Sequence, residues 1–261
     1  MNSLRNDQYE RVKQGVSWAW FVFFSQIPFV FWYARGGPAL HPIVVTLPLV
    51  GILNFYVEKR NRKGLGLRFV EPGRSLVFAL VYAGFSILGK LLAMKYGEIP
   101  FQPQMLAKGD IWELILSFLI GVFIIALWEE IINRGYIQTR LQAAWGFWGV
   151  IITSLLFAAM HVPSAFLDYE NDLMKAAIRF VEAGLAGLVY GCVYWCTRSV
   201  WTTIAIHGLN NFFVTGLLPL LTGVSVQQVI FKQSTFQLIW LIGQVGVTVL
   251  FARIFFKRVC R

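Results

Sequence analysis

The chain has 261 residues, 57% of them hydrophobic and only 14% charged, with a mean hydropathy of +0.62. A soluble domain carries about a quarter charged residues, so composition excludes an ordinary soluble protein and points to a polytopic membrane protein. The net charge of +10 reads as basic loops on the cytoplasmic side of a membrane rather than a nucleic-acid footprint, and three cysteines exclude a disulfide framework.

A helix needs about 20 mostly apolar residues to cross the hydrocarbon, and eight segments qualify in chain order. The first, 15–34, is longer than a signal-peptide core and runs into Ala34-Arg35-Gly36-Gly37-Pro38 without a small-x-small cleavage site, so it is expected to be a retained anchor. The second, 39–57, is interrupted by Pro42 and Pro48. The basic stretch 58–68 that follows reads as a cytoplasmic loop beside anionic lipid. Span three, 75–94, carries Lys90, and span eight, 235–256, carries Arg253; both are expected to snorkel to an interface.

Spans four and five are 111–135 and 146–163. Span six, 176–196, holds Arg179 and Glu182 at pairing distance along a helix, and Cys192 and Cys196 as packing residues. Only Thr197 and Arg198 separate it from span seven, 199–221, which requires a tight antiparallel hairpin. Cys260, close to a membrane surface, is an acylation candidate. With no polar linker or low-complexity tract, the expected architecture is all-α: a single membrane domain over 1–261, a bundle of about eight transmembrane helices. Placing the N-terminus in the cytoplasm leaves fifteen Lys and Arg in inside segments against five outside, these being Arg35, Lys95, Lys108, Lys175 and Lys232. That bias places both termini inside.

Three polar groups interrupt the apolar spans. Span four carries Glu129, Glu130 and Arg134; span five carries Phe157 and His161; span seven carries His207, Asn210 and Asn211. An ionisable group deep in a span costs about 2.5–3.5 kcal/mol on insertion scales, which makes a functional role the default. Glu130 and Arg134 are four apart, the spacing and order of a helical ion pair. Glu129 is rotated about 100° from Glu130, so one carboxylate can be neutralised while the other points elsewhere. His207 and Asn211 share a helix face, and His161 is expected to close its helix just before Pro163.

Counting back from span ends at about 1.5 Å per residue places Glu129, His161 and Asn211 roughly 18–22 Å deep, and His207 roughly 12 Å. The groups can therefore meet in one layer, an intramembrane cavity. A carboxylate in a half-dry pocket suits a general base, an adjacent imidazole can hold the same water, and a second imidazole with an amide can donate to an oxyanion. Those are the parts of a hydrolase that cleaves peptide bonds with activated water.

In order and spacing, Glu129-Glu130-x-x-x-Arg134, Phe157-x-x-x-His161 and His207-x-x-x-Asn211 resemble the signatures of the CPBP family, which comprises the type II CAAX prenyl proteases and bacteriocin-processing enzymes, also called ABI. The resemblance implies an intramembrane protease with its catalytic core at about 111–221. Glu129 would be the base, assisted by His161. His207 and Asn211 would form the oxyanion hole, with Glu130 and Arg134 supporting. Asn133 departs from the pattern, since relatives often carry Phe there.

Zinc is the alternative mechanism, with Glu129, His161 and His207 as ligands. The absence of HExxH and the pairing of Asn211 with His207 favour a metal-free site. The implied partners are membrane lipid and a lipidated or membrane-anchored peptide, with no nucleic acid. A transporter usually shows matching broken helices in two halves, and no internal repeat is visible. A non-catalytic immunity or scaffold protein would not be expected to keep the complete set of four residues.

Overall fold

The computed structural model describes residues 2–36, 42–97, 108–168, 172–224 and 234–256. Among these residues every regular element is helical, and eight helices take the places of the eight apolar segments. They are α1 (Asn2–Ala34), α2 (42–57), α3 (Pro72–Tyr96), α4 (108–145), α5 (Phe147–Asp168), α6 (Leu173–Thr197), α7 (Val200–Thr222) and α8 (Ser234–Phe255). Six contain stretches long and apolar enough to cross a membrane: Gln8–Trp32, Pro72–Tyr96, Ile111–Trp145, Leu173–Thr197, Val200–Thr222 and Thr235–Phe255. The apolar parts of α2 and α5, Val44–Val57 and Phe147–Pro163, are shorter. The chain is an integral multi-pass membrane protein. Cys260, Lys232 and the last five residues lie outside the described residues.

Two compact units divide the chain, each interleaved from two segments: Met1–Arg68 with Trp128–Val200, and Phe69–Leu127 with Trp201–Arg261.

In the first unit α1, α2 and the second half of α4 close around Val22, Leu53, Ile132, Tyr136 and Leu141. The α5–α6 pair approaches closely through small residues, a Cβ at Gly184 falling 3.5 Å from that of Ala158. The loop 58–68 is docked onto this core. Gly66 has φ +65° and sits against Tyr194, where a Cβ would come within 2.6 Å of the hydroxyl, so only glycine meets both demands. Its carbonyl accepts from Val200 N–H at 3.0 Å. Arg68 donates to the carbonyls of Thr197 and Arg198 at 2.8 and 2.9 Å, satisfying the end of α6. Part of the basic stretch is thus structural.

In the second unit α3 packs on α8. Phe78 stacks on Phe251 with centroids 5.4 Å apart, and Gln244 donates to Ser86 at 2.6 Å. Lys90 does not snorkel: it is buried and donates to Gln237 Oε1 at 2.9 Å, because α8 offers an acceptor inside the helix pair.

Two further expectations are corrected. Span four extends beyond 135: the apolar helix Ile111–Trp145 has 35 residues, about 52 Å at 1.5 Å each, well beyond the ~30 Å hydrocarbon. Pro163 lies inside α5, which runs on to Asp168; proline removes one backbone donor there without ending the helix.

Candidate active site

Glu129 and Glu130 occupy a short α-helical turn, Leu127–Glu130, between two π-helical stretches of α4, Leu119–Ala126 and Ile131–Gln138. π-Helical turns are rare and concentrate at functional sites. Glu130 and Arg134 have no exposed surface, and Arg134 Nε stands 3.4 Å from Glu130 Oε2. The expected ion pair is present and fully buried. Glu129, on the neighbouring face, is half-buried. Asn133 is buried as well; its Nδ2 donates to the Glu129 carbonyl at 2.8 Å, and its Oδ1 makes no hydrogen bond among the described residues.

Phe157 of α5 joins this group to His161. The Arg134 guanidinium lies 5.1 Å from the Phe157 ring centroid, within cation–π range. The Phe157 and His161 rings are 4.6 Å apart at 54°. His161 Nδ1 is 2.8 Å from the Phe157 carbonyl oxygen. A carbonyl can only accept, so Nδ1 carries the hydrogen and Nε2 is the basic nitrogen of the neutral ring. The four-residue spacing of phenylalanine and histidine therefore does two things. It places an aromatic face between guanidinium and imidazole, and it sets the imidazole's tautomer.

His207 and Asn211 belong to the second unit, one turn apart on α7. His207 is 5% exposed and Asn211 half-buried. Their helix lies hard against the first half of α4: a Cβ on Gly208 would stand 2.8 Å from Val122 Cα, and one on Gly121 would stand 3.7 Å from Asn211 Cβ. Phe118 and Phe212 pack edge to face beside this contact, with centroids 5.3 Å apart.

The structure thus brings Glu130, Arg134, Phe157 and His161 into contact in one unit, with Glu129 adjacent in the chain, and sets His207 beside Asn211 in the other. Within neither unit do three His, Cys, Asp or Glu side chains among the described residues converge at metal-ligand spacing. A cavity of about 270 Å³ in the second unit is lined by Glu113, Ser117 and Thr215 among others and holds none of these residues.

Sequence reasoning missed the anchor of α4 to the docked loop. Arg140 donates to Asn54 Oδ1 at 2.8 Å and to the Gly64 carbonyl at 2.9 Å, pairs with Glu58, and covers the Tyr136 ring at 3.8 Å. The four-residue spacing of Tyr136 and Arg140 was the one local signal for it.

These features define a class, a multi-pass helical membrane protein with carboxylates, a guanidinium and imidazoles set into its apolar helices. Residues 111–213 match the family of Rce1-like type II CAAX prenyl endopeptidases, and this segment is a domain of that CPBP/ABI family. The family is one of intramembrane endopeptidases, and the matched residues contain all three motifs. No curated protein and no solved structure matches the chain.

Proposed function

We propose that the chain is an intramembrane endopeptidase that hydrolyses a peptide bond near the membrane-anchored end of its substrate. The substrate is a prenylated CAAX-type tail or a bacteriocin- or pheromone-like peptide. The observation that carries this reading is the contact chain from Glu130 through Arg134 and Phe157 to His161, inside the segment that matches the endopeptidase family.

Glu129 takes a proton from water as its oxygen bonds to the scissile carbonyl carbon. Glu130 cannot serve, because its charge is committed to Arg134. His161, with Nδ1–H held by the Phe157 carbonyl, accepts a hydrogen bond from the same water at Nε2, then takes the proton from Glu129 at Nε2 and passes it to the leaving amine as the C–N bond breaks. His207 and Asn211 donate hydrogen bonds to the tetrahedral oxyanion, a contribution of about 10²–10³ in rate for a single donor. Glu129 and His161 activate the water without a metal ion. The whole chain, 1–261, acts as one protease domain with its core at 111–221. Its site is a cavity within the membrane, reached from the cytoplasmic side, and both termini are cytoplasmic.

The substrate class is tested by incubating the purified protein in lipid vesicles with farnesylated CAAX peptides and, separately, with unprenylated membrane-segment peptides, reading products by mass spectrometry. Cleavage at one bond near the anchored end of either set is expected. Binding of these peptides without cleavage would support the scaffold reading instead.

A further inference from the structure

At the end of the first unit where α2 meets loop 58–68, positive charge exceeds its partners. Glu58 is almost completely buried, its side chain 6% exposed, and it is shared by two guanidinium groups. Arg140 takes both carboxylate oxygens and has spent its remaining donors on Asn54, Gly64 and Gly135. Arg60 is left with one contact to Glu58, at 3.5 Å, and with 35% of its side chain exposed. Burial, and then the charge of Arg140, hold the Arg60 guanidinium below its usual range. One carboxylate between two guanidiniums leaves a net positive charge in a half-buried place.

More cations surround it. Asn54 holds the turn by donating to the Arg60 and Asn61 carbonyls. Lys59 in this turn adopts the left-handed conformation at φ 52°. Lys59, Arg62 and Lys63 are exposed and make no ion pair among the described residues. Arg60 Nη2 lies 3.7 Å from the Cβ position of Gly15 on α1, and exposed Arg11 is one turn before Gly15 on the same face. Glu10 on α1 is offset about 140° round the helix from Gly15. Just before the loop, α2 ends in exposed Phe55, Tyr56 and Val57, an aromatic-rich edge of the kind found where hydrocarbon gives way to headgroups.

We propose that Arg11, Lys59, Arg60, Arg62 and Lys63 form a binding site for the phosphate of an anionic lipid headgroup. The phosphate supplies the anion that Glu58, shared with Arg140, does not. The planar guanidinium of Arg60 offers two parallel donors to its oxygens, and the lysines act as point charges round it. The exposed edge of α2 lies against the acyl region of the same lipid, which a soluble anion would leave uncovered.

The test uses the full-length protein in detergent, titrated with dioctanoyl-phosphatidylglycerol or dioctanoyl-phosphatidylcholine and read by native mass spectrometry. Each basic residue at a membrane surface contributes roughly a fivefold factor. Phosphatidylglycerol should therefore bind at least tenfold more tightly than phosphatidylcholine. The combined Lys59→Gln, Arg62→Gln and Lys63→Gln variant should lose at least tenfold in phosphatidylglycerol affinity. Arg74→Gln with Lys95→Gln, exposed cations elsewhere, should stay within twofold of wild type. If the triple variant melts early, the single reversal Lys63→Glu is used and should lose at least fivefold. Equal affinity for the two lipids, or variants that bind as wild type, would overturn the proposal. So would full displacement of phosphatidylglycerol by equimolar inorganic phosphate, which would assign the site to the free ion.

Discussion

Glu129 and Glu130 are neighbours with opposite assignments, and a single substitution at each separates them. Glu130 is buried against Arg134, so Glu130→Gln leaves an uncompensated guanidinium inside the protein, a change that costs about 3–5 kcal/mol. Glu129→Gln removes a half-buried carboxylate and should change stability by less than about 1 kcal/mol. Thermal melting in detergent is expected to show a large drop for Glu130→Gln and almost none for Glu129→Gln. Equal drops would remove the distinction. Phe157 permits a subtler test. Phe157→Leu keeps an apolar side chain but takes away the ring shared by Arg134 and His161, a contact of about 0.5–2 kcal/mol. Cleavage should fall several-fold in kcat with KM little changed; an unaltered kcat would make the ring mere packing.

Among the helices, the close approach of α7 to the first half of α4 is sensitive to mutation. A Cβ on Gly208 meets the Val122 backbone at 2.8 Å, whereas Gly243 on α8 has nothing within 4 Å of its Cβ position. Gly208→Ala should therefore lower the melting temperature, at an overpacking cost of about 1–3 kcal/mol. Gly243→Ala should leave it unchanged or raise it, since alanine is the better helix former by about 1 kcal/mol. A neutral Gly208→Ala would contradict the packing. Hydropathy located all eight helices, because burial in lipid needs only local apolarity. It could not show which intruding charges find protein partners, because those partners are remote in sequence. Lys90 is bonded to Gln237, 147 residues away, and Arg140 to Asn54, 86 residues away. The Glu130–Arg134 and Arg179–Glu182 pairs were legible because both members lie on one helix turn. The π-helical stretches of α4 were not, since hydrophobic patterning reads a 3.6-residue period; Leu119–Ala126 is apolar all round, and Ile131–Gln138 is too short to separate one helical period from another.

For the molecule as a whole, the charge bias predicts sidedness, and this can be read directly. In a background with Cys192, Cys196 and Cys260 replaced by alanine, Lys95→Cys should react with an impermeant maleimide on intact cells. Lys63→Cys should react only after permeabilisation. The reverse pattern would invert the topology and take the basic site of loop 58–68 off the cytoplasmic leaflet. All three motifs fall within the matched residues 111–213. The N-terminal helices contribute the loop that anchors α4 through Arg140, so truncation before α3 should abolish activity although it removes none of the motifs.

The role proposed for Glu129 is to activate water for peptide hydrolysis. The most direct measurement is cleavage of a farnesylated CAAX peptide by wild type and by Glu129→Gln, each with and without a chelator. Wild type is expected to cleave with or without the chelator, and Glu129→Gln to cleave at least 10² more slowly while melting as wild type does. Cleavage unchanged in Glu129→Gln would contradict it. Cleavage lost in the chelator and restored by zinc would also contradict it, and would reassign Glu129, His161 and His207 as metal ligands.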